Sequence, residues 1–173
     1  MLSVNPRSML GGMDLGVLED IRRVKHRYLR CVDLKRWDDV ADTLAPEATA
    51  SYGTPTYGEP ISLTGREAIV GFLREKLGGS LITTHFAVQP EIDVDGDTAT
   101  GLWPFEDTVI APEHRIMIKG AAVYEDTYRR CEDGRWRITH TGYTRTYEFM
   151  LSFDDVPSLR FTANRWASVE NAF

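Results

Sequence analysis

The chain has 173 residues, 42% hydrophobic and 27% charged, the size and composition of one globular domain rather than of a disordered chain. A formal net charge of −6 without any basic run argues against a nucleic-acid partner, because phosphate binding draws on clustered Lys and Arg. No eighteen apolar residues run together, so no membrane-spanning helix is expected.

Residues 1–13 read as a loose tail without the apolar core of a targeting segment. From Asp14, a candidate helix cap, apolar residues fall at Val17, Leu18, Ile21, Val24, Tyr28, Leu29 and Val32, with charges on the opposite face. A second, short helix passes through Trp37, Val40, Ala41 and Leu44 and stops near Pro46. Residues 48–52 look like a short strand, and residues 53–62 like a loop rich in Gly and Pro. Thr64-Gly65-Arg66-Glu67 has the form of a capping box; Ile69, Phe72, Leu73 and Leu77 give the third helix its apolar face as far as Gly78-Gly79.

After Gly79 the apolar period changes to two. Residues 85–94 read as a strand, Asp95-Gly96 as a hairpin turn, and residues 98–110 as the return strand. Residues 114–130 form another long strand, which Asp133-Gly134 turns back into residues 136–148. A straight fifteen-residue strand would be about 50 Å long, so these strands must bend, with Pro104 and Gly120 the natural kinks. The pattern implies an α+β domain over residues 14–150, three helices packed on one face of a strongly curved antiparallel sheet. Residues 151–173 hold Phe153, Leu159, Phe161, Trp166 and Phe173 without periodicity, as a pocket lid, a subunit contact or a disordered tail would.

Cys31 and Cys131 have no metal-type spacing and make no disulfide framework; two reduced thiols in a cytoplasmic protein are expected. No His, Asp and Glu grouping has metal-ligand spacing and no glycine-rich phosphate loop follows a strand, so neither a metal nor a nucleotide cofactor is expected.

The order of elements resembles the cone-shaped α+β barrel of the nuclear transport factor 2-like superfamily, and its SnoaL-like branch in particular. The residues that carry the resemblance are 28–37 (YLRCVDLKRW), Ile82-Thr83-Thr84-His85-Phe86, residues 121–130, Gly134-Arg135-Trp136-Arg137-Ile138 and Gly142-Tyr143-Thr144-Arg145. Relatives of this kind include scytalone dehydratase, bile-acid 7α-dehydratase and hexachlorocyclohexane dehydrochlorinase. What the resemblance implies is elimination chemistry, with an Asp near the end of the first helix supporting a pocket His. Asp33 and His85 match those positions, Tyr28 matches a Tyr of the dehydratases, Arg145 a pocket Arg, and Asp107, more loosely, a further pocket carboxylate.

Elimination of water needs a base beside an activating group and an acid for the departing hydroxyl, and a His oriented by an Asp supplies both. Each residue also has a structural alternative: His85 as a strand-start hydrogen bonder, Asp33 as a helix-end turn residue, Tyr28 as core, Arg145 as an ion-pair partner of Glu148 or another carboxylate, Asp107 as a structural or solvated carboxylate. Tyr28 and Asp33 point roughly 140° apart on a regular helix, so they share a pocket only if the helix ends before Asp33. His140 and Arg145 have opposite strand parity unless a bulge intervenes. Trp103, Phe105, Tyr124, Phe86 and Ile118 are expected to wall a pocket for a flat, hydrophobic cyclic molecule, or else to be core or interface.

The sequence thus points to a dehydratase-like lyase without a cofactor. An isomerase or cyclase in the same pocket, or a non-catalytic small-molecule-binding protein, is the alternative. A homo-oligomer is expected because an open sheet face needs covering, and analogy with the dehydratases favours a trimer over a dimer.

Overall fold

A computed structural model describes residues 15–54 and 58–167. The Asp14 cap, the tail over 1–13 and Phe173 lie outside the described residues. Helix α1, Leu15–Asp33, buries Leu18, Ile21, Tyr28, Leu29 and Val32 on the predicted stripe, and Lys25 with them. Helix α2, Trp37–Thr43, ends where the Thr43 hydroxyl donates to the Val40 carbonyl at 2.7 Å. Strand β1, Leu44–Gly53, follows directly, then β2, Ile61–Thr64, and helix α3, Arg66–Leu77.

The expected capping box does not form. Thr64 is the last residue of β2, paired with Thr49, and the helix is preceded by Gly65 at φ +92°, with no side-chain cap. The Gly65 amide donates to the Ala48 carbonyl instead, at 2.8 Å. A strand partner and a helix cap compete for the same backbone, and the strand wins.

The meander is made of β3, Ile82–Ala87; β4, Glu91–Asp95; β5, Thr98–Ala111; β6, Ile116–Arg130; and β7, Trp136–Ser152. The strand expected over 85–94 is two strands. Gln89 takes φ +48° and Pro90 has no amide to donate, so the ladder breaks between them. The sheet runs β2-β1-β7-β6-β5-β3, with β4 paired to the far end of β5. It is mixed rather than purely antiparallel, since β1 lies parallel to β7, and it is curved without closing.

Neither Pro104 nor Gly120 breaks the β5–β6 ladder, which pairs in unbroken register from Thr98↔Arg129 to Ala111↔Ile116; on the other side of β6 the register with β7 shifts just past Gly120, between Ala121 and Ala122. Pro104 sits where the other neighbour of β5 changes from β3 to β4, its carbonyl accepting from the Val88 amide at 3.0 Å. The bending falls on β7, which has 17 residues against 15 in β6. One extra residue, Thr139, is absorbed between Ile138 and His140, and a second, Thr146, between Arg145 and Tyr147. Unbroken alternation from the buried Ile138 would turn Thr141, Tyr143 and Arg145 outward. The first bulge keeps them on the concave face, and the second does the same for Glu148.

The core lies between the helices and that face. Ile21, Val40, Leu44, Ile69 and Ile138 have no exposed surface, and each contributes about 1.5–3 kcal/mol of burial. Beyond Phe153–Asp155, a single 3-10 turn, the chain is irregular; Phe161 packs edge-on to Phe153, and Trp166 takes the Lys35 ammonium over its ring at 5.1 Å. No described helix is long and apolar enough to cross a membrane. Cys31 and Cys131 are both free thiols.

Candidate active site

Strand β3 begins beside the end of α1, and Thr83 and His85, two residues apart, face that end together. The His85 Nδ1 lies 2.7 Å from Asp33 Oδ1, the Thr83 hydroxyl donates to the same oxygen at 2.8 Å, and the His85 amide donates to Oδ2 at 2.9 Å. A carboxylate only accepts, so Nδ1 carries the proton and Nε2 is left for the cavity that His85 lines. Asp33 keeps this position because the chain turns sharply after it, with Leu34 still bonded to the Arg30 carbonyl and Lys35 at φ +55°.

Helix α1 does run to Asp33, so Tyr28 and Asp33 do not face one pocket. His85 stands between them. Asp33 supports it from an outer groove, and Tyr28 lies on the cavity side.

The cavity has two parts. An open cleft of about 680 Å³ narrows to an inner pocket of about 60 Å³, and Thr54, Lys76, Leu77, His85 and Tyr143 line both. Tyr28, Tyr52, Tyr124 and Tyr143 surround the inner pocket, with the Tyr28 and Tyr52 hydroxyls 3.0 Å apart. Tyr143 packs edge-on to Tyr124 and tilted against Tyr52, with ring centroids 5.2 and 5.5 Å away. Burial raises the pKa of Tyr28, Tyr52 and Tyr124 well above the usual phenol value, so at neutral pH these hydroxyls are donors and not bases.

This has a consequence for alkaline pH. Tyr128, buried beside Asp126, is raised likewise. A folded-state pKa above the unfolded value of about 10 means that the folded chain holds its protons longer. Stability is therefore full below pH ~10 and declines as pH rises beyond it. In a spectrophotometric titration these four of the seven tyrosines should ionise only together with loss of the circular dichroism signal. Ionisation of all seven before unfolding would contradict the burial.

One polar row crosses the sheet. His85 pairs with Asp107, Asp107 with Gly120, and Gly120 with Glu148. The Arg145 guanidinium lies over the gap that Gly120 leaves, where a Cβ would stand 2.9 Å both from Nη1 and from the Tyr147 carbonyl oxygen. Arg145 donates to both Asp107 oxygens, at 2.6 and 2.8 Å, and through Nε to Glu148 at 3.2 Å. The Thr54 hydroxyl donates to the same Glu148 oxygen at 2.5 Å. Burial works against the guanidinium's charge, yet hydrogen bonding to Asp107 and the two carboxylate charges hold its pKa above the usual arginine value.

A second buried pair lies beyond the inner pocket's wall. Lys25 Nζ is 2.7 Å from Asp126 Oδ2 and 3.4 Å from the centroid of the Tyr124 ring, and neither side chain of the ion pair has any exposed surface. Asp126 Oδ2 also accepts from the Tyr128 hydroxyl at 2.7 Å. Burial lowers the Lys25 pKa, and the Asp126 charge and hydrogen bond work in the opposite direction. This pair was not among the expected site residues. Its signal is in the sequence: Lys25 stands four residues after Ile21 and three before Tyr28, on the apolar stripe, and Asp126 alternates between Tyr124 and Tyr128.

The residues expected to wall the pocket separate. Tyr124 lines the inner pocket and Ile118 the cleft. Trp103 and Phe105 line neither; they are core, Phe105 stacked on Tyr124 at 4.2 Å and Trp103 fully buried. Phe86 is 69% exposed, because its neighbour His85 takes the inward side of β3 and alternation turns Phe86 out. His140 faces away from the cavity and bonds Thr49 at 2.7 Å, while His114 stands at the cleft. Among the described residues, none beyond Glu148 lines the cleft, and no three His, Cys, Asp or Glu side chains are grouped to hold a metal ion.

The model of the SnoaL-like domain matches residues 14–142. An uncharacterized protein of Mycobacterium tuberculosis is 27% identical over 153 residues, 87% of this chain and 100% of that one. Among solved structures, a protein provisionally called a scytalone dehydratase from Novosphingobium aromaticivorans superposes with a TM-score of 0.69 at 19% identity, over 79% of this chain and 88% of the other. A hexachlorocyclohexane dehydrochlorinase from Novosphingobium barchaimii gives 0.68 at 19% identity, over 79% and 91%. At such identity the likeness of the structures shows the shared nuclear transport factor 2-like fold. The domain match covers well over half of the sequence, and on that ground the chain belongs to the SnoaL-like family.

Proposed function

We propose that the chain is a cofactor-independent acid–base lyase, a dehydratase of a hydrophobic cyclic alcohol or ketol. The observation that carries this reading is the 2.7 Å bond from His85 Nδ1 to Asp33, at the wall of a cavity whose inner end is ringed by tyrosine hydroxyls. Asp33 fixes the imidazole tautomer, so Nε2 takes the proton next to the substrate carbonyl. The Tyr28 and Tyr52 hydroxyl pair donates to the carbonyl oxygen as it gains charge. The imidazolium then returns the proton to the departing hydroxyl, a double bond forms, water leaves and the base is restored. Arg145 and Asp107 hold the cleft wall beside His85. Elimination by two structural neighbours, as their names describe it, agrees with this assignment.

The same reading includes a cytoplasmic homo-oligomer, a trimer by analogy with the dehydratases. Exposed Leu102, Val123, Tyr147 and Phe149 on the outer sheet face are what supports a partner copy.

The test is turnover of a panel of cyclic β-hydroxy ketones followed by mass spectrometry. Loss of water from a member of the panel is expected, and His85→Ala should lower that rate by at least about a hundredfold. A product of unchanged mass would make the chain an isomerase or cyclase. Undiminished turnover in His85→Ala would overturn the mechanism.

A further inference from the structure

The cation that an arginine brings to a ligand cleft is, in this chain, already neutralised. Arg145 engages both oxygens of Asp107 and one of Glu148, and all three side chains are more than nine-tenths buried. The cluster as a whole carries one negative charge. The rim repeats the pattern: Lys76 pairs with Glu75 at 2.8 Å, and Glu113, which accepts from the Ser80 hydroxyl, adds another carboxylate. Among the described residues the cleft is therefore lined by four carboxylates, Glu75, Asp107, Glu113 and Glu148, against two permanent cations, Lys76 and Arg145.

We infer that the cleft selects an uncharged ligand and rejects carboxylates, phosphates and sulfates of the same shape, with Glu148 the residue that sets this preference. The inference rests on the proposed reading of the cleft as a substrate site and narrows its substrate to neutral ketols and alcohols. An anion entering the cleft would meet the charges of Asp107 and Glu148, whose side chains are more than nine-tenths buried, and Coulomb repulsion beside such a low-dielectric wall is stronger than in bulk solvent. Three of the five Arg145 N–H donors are committed to Asp107 and Glu148, so an anion reaching the other two would still face both carboxylates. A neutral carbonyl loses nothing by the same placement. Thr54 reinforces the arrangement, because its hydroxyl holds Glu148 against Arg145 at the end of β1.

The experiment is calorimetric binding of two near-isosteric probes, neutral 2-acetylnaphthalene and anionic 2-naphthoate, at neutral pH. The wild-type chain should bind the ketone at least about tenfold more tightly, and the ratio should shrink with added salt as the charges are screened. Glu148→Gln, which leaves Arg145 and Asp107 balanced, should bring the ratio below about threefold. Glu113→Gln on the exposed rim narrows it less and does not touch the buried cluster, so the inference stays testable if Glu148→Gln fails to fold. Equal or tighter binding of naphthoate by the wild type would overturn the charge selection while leaving acid–base elimination standing. Binding of neither probe would overturn the reading of the cleft as a site for a flat, hydrophobic cyclic substrate, and this inference with it.

Discussion

Lys25→Met is expected to destabilise the fold by about 3–5 kcal/mol, the cost of leaving a buried carboxylate without its counter-ion. The Asp126 side chain has no exposed surface, its Oδ1 has no hydrogen-bond partner among the described residues, and Oδ2 depends on Lys25 and the Tyr128 hydroxyl. Methionine matches the lysine stem in volume and packs against Tyr124, so the loss would come from the charge and not from a cavity. The paired change Lys25→Met with Asp126→Asn should recover most of that loss, because the amide oxygen still accepts from Tyr128 and no charge remains buried. Urea unfolding of the two single variants and the double variant gives the coupling directly. A single variant that loses less than about 1 kcal/mol would mean that the pair is not ionised in the folded chain.

Asp33→Asn is expected to lower turnover by about a thousandfold or more while leaving the fold nearly as stable. The His85 amide donates to Oδ2, and the new side chain has only one oxygen to meet it. With that oxygen held by the backbone, the amide nitrogen faces Nδ1 and the Thr83 hydroxyl. Nδ1 must then accept, which moves the ring proton to Nε2 and removes the base from the cavity. The chain remains folded because the replacement is isosteric and most of its hydrogen bonds survive. Urea unfolding separates this from general damage: the variant should unfold within about 1 kcal/mol of wild type while its turnover collapses. Turnover within tenfold of wild type would show that Asp33 does not orient the imidazole.

How much of this was legible in the sequence differs by feature. The hairpins at Asp95-Gly96 and Asp133-Gly134 and the helical stripe of α1 come from local periodicity and turn chemistry, and the structure has them where the pattern puts them. The parallel pairing of β1 with β7 joins segments about ninety residues apart, and nothing local encodes it. Pro104 looks like a kink but pairs regularly with β6, its missing donor turned toward the gap between β3 and β4; Gly120 pairs regularly with β5 and makes room for a guanidinium, and the bulge falls one residue further on, on the β7 side. Asp33 and His85 came from the resemblance, since helix spacing by itself set Asp33 apart from Tyr28. Residue counting set His140 and Arg145 on opposite faces, and they lie so; what it could not supply is the bulge at Thr139, which puts Arg145 rather than His140 on the face of Ile138. Lys25 was passed over because a charge on an apolar stripe reads as an interruption until its partner strand is known.

The two bulges in β7 also bear on how this strand can change length over evolutionary time. Loss of Thr139 or Thr146 would convert a bulge into regular ladder and leave every flanking side chain on the face it already occupies. Loss of Thr144, between them, would instead turn Arg145 out of the cleft although no site residue had been substituted. Single-residue gaps at the two threonines are thus compatible with an intact site, and a gap five residues after Thr139 is not. Spacing within this strand, as well as residue identity, decides whether Arg145 and Glu148 keep to the cleft.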